Sequence, residues 1–236
     1  MAKKLIISAI LFAVLLGGTG CMDNNNNASQ HDSSKNVREL AIEYMEQKYG
    51  EKFEYVQPWG NSMSGTLRFF VSRTSLPEQI VLVQVDNYTQ EDRVFRDNYI
   101  AVKYQQKSLD FFSECAIKTF GEANTFYTEP YEGLSVDLST ETTFEEFLAD
   151  RFPIHEIYVE VKESNYRDES QLKDISQLIG EHGTRYLLQV VIINDLHYGT
   201  HDKDTIKDTL EKSDVERRAI IRNEDGSVEI DWLFGG

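Results

Sequence analysis

The chain has 236 residues, 40% hydrophobic and 11% aromatic, which is enough for an ordinary buried core in one large or two small domains. Its 24 Lys and Arg stand against 40 Asp and Glu, a formal net charge of −16 at pH 7. So acidic a surface repels phosphate backbones and anionic head groups, which excludes nucleic acid as a partner and excludes membrane adhesion by charge alone.

At the N-terminus, Lys3 and Lys4 precede "LIISAILFAVLL" (Leu5 to Leu16), an apolar run of signal-peptide length that is too short to span a bilayer comfortably. The small residues Gly17, Gly18, Thr19 and Gly20 follow, and then Cys21. This stretch resembles the lipobox of bacterial lipoproteins, although Gly18 stands where that family usually has Leu. The resemblance implies a signal peptide over residues 1–20 and a covalent diacylglycerol and acyl chain, such as palmitate, on Cys21. It also implies a lipid-anchored place on the extracytoplasmic face of the cell membrane. An uncleaved anchor and an ordinary secretory cleavage near Gly20 are the competing readings. Loss of residues 1–20 removes two lysines and no acids, leaving 22 bases, 40 acids and a net charge of −18. Residues 21–35 are polar and Asn-rich, unable to bury a core, and read as a disordered tether. With Cys21 acylated, Cys115 has no partner and no disulfide framework exists.

The first expected element is a helix in "NVRELAIEYMEQKYG", with Val37, Leu40, Ala41, Tyr44 and Met45 on one face, Asn36 as cap and Gly50 as stop. "KFEYV" alternates as a short strand. "TLRFFVS" follows with Leu67, Phe69 and Val71 on one side, and "QIVLVQV" (Gln79 to Val85) is apolar enough for an interior strand. "NYIAVKY" (Asn98 to Tyr104) reads as another strand. "SLDFFSECAIKTFG" reads as a helix with Leu109, Phe112, Ala116 and Phe120 inward. The phrase "AIEYMEQKYGEKFEYV", a helix closed by Tyr-Gly before a strand, resembles the layout of cystatin-like exported lipoproteins of Gram-positive bacteria. That resemblance implies a cystatin-like first lobe and no activity.

"TEPYEGLSVDLST" is the most loop-like interior passage and marks the expected boundary between lobes at 36–130 and 131–236. Beyond it, "TFEEFLADRF" carries a capping box in Thr143 and Glu146 and an apolar stripe of Phe144, Phe147, Leu148 and Phe152. "IHEIYVEV" is a strand, "ESQLKDISQLIGEHG" a helix, "RYLLQVVIIN" a central strand and "DTIKDTLEK" a weak helix. "RRAIIRNEDGSVEIDWLF" closes the chain as two strands around an Asp-Gly turn. The sum is an α+β fold of antiparallel sheets packed against amphipathic helices.

The strongest chemical constellation is "NDLHYGTHDKD". His197 and His201 lie four apart with Asp195, Asp202 and Asp204 near, a donor set suited to zinc or a similar divalent ion, with His197, His201 and Asp202 as the expected ligands. Gly199 between the histidines favours a loop, and a polar loop after a buried strand is the simpler account. Trp59 in "QPWGNSMSG" is a candidate binding residue, since a loop tryptophan can anchor a protein or a small ligand. Packing of that ring on its own lobe is the commoner outcome. Cys115 reads as a buried core residue and His155 as a packed strand residue. "SQLK" (Ser170 to Lys173) has S-x-x-K spacing without its companion motifs, and no residue set carries catalysis. The expectation is a membrane-anchored lipoprotein of non-catalytic binding or interaction type. The alternative is a metal-dependent envelope hydrolase using the His197/His201 loop.

Overall fold

A computed structural model describes residues 28–59, 65–128, 130, 138–150, 153–210, 216–223 and 225–234. The chain folds as α+β, with helices packed on two sheets. Helix α1 (Ala28–Tyr49) buries Val37, Ala41, Met45 and Tyr49, a four-residue spacing that keeps one face inward. It ends where Gly50 takes a positive φ of 68° and donates its N–H to the Glu46 carbonyl. The helix begins eight residues before the expected cap, so Asn36 lies inside it and residues 28–35 of the expected tether are helical. Once the packed turns exist, each added residue gains one backbone bond, so a polar extension costs little. Cys21 lies outside the described residues.

The first sheet is the antiparallel meander β1 (Phe53–Pro58), β2 (Thr66–Arg73), β3 (Leu76–Asp86) and β4 (Val94–Asp97). Register pairs Leu67 with Val85, Phe69 with Val83 and Val71 with Val81, and these six residues form the floor on which α1 packs. Helix α2 (Tyr99–Phe120) then runs for 22 residues, about 33 Å at 1.5 Å per residue. It takes in "NYIAVKY", which was expected as a strand. Those residues have strand-favouring side chains, but Ile100, Ala101, Tyr104, Ser108, Phe112, Ala116 and Phe120 make one continuous buried stripe. Tertiary burial overrides local propensity there.

The second sheet has the order β5 (Ala123–Thr128), β6 (His155–Lys162), β7 (Tyr186–Ile193), β8 (Glu216–Arg222) and β9 (Val228–Phe234). This sheet is antiparallel except for one pair, since β6 and β7 run parallel. Helix α4 (Ser170–Gly180) lies in the connection between them, and a parallel pair requires such a crossover. Strand β5 joins this sheet although it precedes residue 131, the expected start of the second lobe.

The two cores share elements. The first turns of α2 pack in the core of the first sheet, and Phe112 to Phe120 pack in the core of the second. Helix α3 (Phe144–Ala149), closed by the expected Thr143/Glu146 capping box, sends Phe147 into the first core and Leu148 into the second. On the other face of the second sheet, α5 (Lys203–Leu210) buries Ile206 against Tyr158, Val191 and Ile193. Among the described residues no helix is long and apolar enough to cross a membrane.

Candidate functional site

Two features of the second sheet carry concentrated polar chemistry, one on each face. The first is a cavity of about 520 Å³ between α4 and the β8–β9 hairpin. Leu172, Ile175 and Ile179 fix the inward stripe of α4. The flank beside that stripe turns Lys173, Gln177 and Glu181, spaced at four residues, into the cavity wall. The floor comes from the hairpin. Ile220 faces the same core, and residues two apart on a strand share a face, so Arg222 points to the helix side as well. Register places Ile230 opposite Ile220 and Val228 opposite Arg222, which sets two apolar side chains beside the guanidinium. Val228 is 43% exposed, and the floor therefore lies open.

Arg222 is held at one end. Its Nη1 donates to the Gly180 carbonyl at 2.6 Å and lies 3.5 Å from the Thr184 carbonyl. Gly180 leaves room for the group, and Gly226 lies beside it at ordinary contact distance. A Cβ on Gly180 would stand 3.2 Å from Nη1, and one on Gly226 would stand 3.5 Å from Nη2. Gly226 also has a φ of 81°, a backbone state that other residues adopt at a cost.

The second feature is the loop that carries the histidine pair. Glu160 on β6 points to the α5 side and is fully buried. One carboxylate oxygen lies 2.6 Å from His201 Nδ1. The other accepts from the Asn124 side-chain amide at 2.7 Å and from the Gly199 N–H at 3.2 Å. Asn124 is the cross-strand partner of Glu160, so sheet register and loop closure converge on one carboxylate. Asp202 does different work, accepting from the Thr205 N–H at 2.8 Å and the Thr205 hydroxyl at 2.7 Å at the start of α5. Those bonds hold its carboxyl below the usual range. Asp195 is similarly lowered by the Ser164 hydroxyl and N–H, which tie the loops after β6 and β7 together. His197 is exposed on the turn.

The expected ligands His197, His201 and Asp202 thus face three different tasks. Among the described residues, no group of three or more His, Cys, Asp or Glu is arranged to hold a metal ion. Trp59 sits at the end of β1, half-buried, with the Arg68 guanidinium 4.9 Å from its ring centre. The adjoining residues 60–64 lie outside the described ones. Cys115 is buried, and burial pushes its thiol up to about 11, with Glu114 adding to the effect.

Sequence reasoning did not identify Lys173, Gln177, Glu181, Arg222 or Glu160 as site residues. The four-residue spacing of Lys173, Gln177 and Glu181 was the available signal for the groove. For Glu160 the signal was an acid flanked by Val159 and Val161 in the apolar half of "IHEIYVEV".

No family model and no curated protein matches the chain. Among solved structures, the crystal structure of a DUF5037 family protein from Ruminococcus gnavus ATCC 29149 aligns with it at 12% identity and a TM-score of 0.41. The alignment covers 78% of this chain and 90% of that one.

Proposed function

We propose that the protein is a lipid-anchored, extracytoplasmic binding protein of non-catalytic type that presents the groove between α4 and the β8–β9 hairpin to a small ligand. The observation that carries this reading is the groove itself. It has an open apolar floor beside a restrained guanidinium, with exposed polar side chains on the opposite wall. A concave surface that combines apolar area with a few convergent polar groups is the usual form of a small-ligand site. The lipobox-like residues ending in Cys21 supply the anchor, and the net charge of −18 after cleavage suits a soluble body held clear of anionic head groups.

Two measurements test this. Cells fed a clickable fatty acid should label the wild-type chain and leave Cys21→Ala unlabelled; lipid on the variant overturns the anchor. A thermal-shift screen of small metabolites should find compounds that raise the melting temperature of the wild type and leave Gln177→Trp unchanged, since that side chain fills the groove. Compounds that stabilise both proteins equally, or none that stabilise either, overturn the groove as the binding site.

A further inference from the structure

We infer that the ligand of this groove is a monocarboxylate carried on an apolar body, with its carboxylate held by the Nε and Nη2 edge of Arg222; the inference rests on the binding reading above. Arg222 spends Nη1 on the Gly180 and Thr184 carbonyls. Among the described residues, Nε and Nη2 have no hydrogen-bond partner, and neither is a buried orphan, so both remain accessible. These two N–H groups are the parallel pair on one edge of a guanidinium, the arrangement that grips the two oxygens of a planar carboxylate. The grip is already aimed, because the Gly180 carbonyl fixes the plane of the group before any ligand arrives.

The charge of the walls agrees with an anion. Across the chain 40 acids outnumber 24 bases, yet the groove is lined by two bases, Lys173 and Arg222, and one acid, Glu181. That inversion is local and favours a negative group. Glu181 sets the limit on it, since a second negative charge on the ligand would meet its carboxylate. A monoanion therefore fits better than a phosphate dianion. Val228 and Ile230 supply the apolar contact for the remainder of the ligand.

The test uses the full chain in detergent and ligand-observed NMR titrations. The probes are 4-methylpentanoate and 3-phenylpropanoate, each compared with its amide. The acids should bind at least about tenfold more tightly than the amides, the scale of one charge-assisted hydrogen-bond pair. Arg222→Lys should weaken the acids about tenfold by removing the fork, and Lys173→Glu should weaken them in the same direction. Gln177→Trp should remove binding of every probe. Lys173 is exposed, so its variant decides the matter if Arg222→Lys does not fold. Acids and amides that bind equally, and are both lost in Gln177→Trp, overturn the carboxylate inference while the groove stands. Binding that survives Gln177→Trp, or absence of binding by all four probes, overturns it together with the groove.

Discussion

At the scale of single residues, the two histidines of the loop after β7 separate sharply. His201 lies against a carboxylate with no solvent contact, whereas His197 projects from the turn. A buried carboxylate is tolerated when its partners are complete, and Glu160 has three: the His201 ring, the Asn124 amide and the Gly199 N–H. Removing one leaves a buried charge partly uncompensated, which is costly. His201→Ala should therefore destabilise the protein by about 3 kcal/mol. His197→Ala should stay within about 0.5 kcal/mol, as surface substitutions do. Urea unfolding of the two variants checks this, and equal midpoints would sink the claim that Glu160 is the anchor of the loop. The free thiol of Cys115, raised by burial to about 11, belongs to the same scale: its environment is that of a packed side chain.

At the scale of elements, the passage from β4 into α2 is the point where local sequence is least informative. The chain pairs with β3 as far as Asn98, whose N–H donates to the Leu82 carbonyl at 3.2 Å. The Asn98 side-chain oxygen then accepts from the Leu82 N–H at 2.7 Å, and helix starts at Tyr99. Asn98→Ala strands that buried N–H and should cost about 1–3 kcal/mol, read as a lower urea midpoint. An unchanged midpoint would show that the bond does not set the strand-to-helix switch. This contact also explains what was legible. The stripes of α1 and α4 and the capping box of α3 are local patterns, and Val37, Met45, Leu172, Ile175 and Thr143 announce them without help. Asn98 is different, because its role depends on a strand sixteen residues away. The same holds for the groove. Lys173 and Arg222 have no shared motif, and only the seat of α4 and the pairing of Arg222 with Val228 bring them to one cavity. The parallel pairing of β6 and β7 is a further long-range choice that alternation within either strand cannot express.

At the scale of the whole molecule, His155 sits at the seam between the two cores, and its burial couples their stability to pH. Phe147 from the first core lies 5.1 Å from its ring centre, while Phe112 and Tyr127 from the second lie 5.8 Å away. The Tyr127 hydroxyl is 2.8 Å from Nδ1, and the buried Nε2 has no partner among the described residues. Burial alone holds the imidazole pKa down to about 3, from an ordinary value of 6.5. The sign follows from proton binding. Between these two values the unfolded chain takes up a proton that the folded chain refuses, so stability is complete above about pH 6.5 and falls as the pH drops towards 3. At about 1.4 kcal/mol per unit, this one residue should remove about 2 kcal/mol between pH 7 and pH 5. Carboxylates titrate in the lower part of that range, so the contribution is read by difference. The loss of stability from pH 7 to pH 5 should be about 2 kcal/mol smaller in His155→Phe, which keeps an aromatic ring in the seam, than in the wild type. If that variant does not fold, the native His155 ring can be followed directly by NMR. Its signals should not shift between pH 7 and pH 5, and a titration midpoint near 6.5 in the folded state would show that the seam admits a charge.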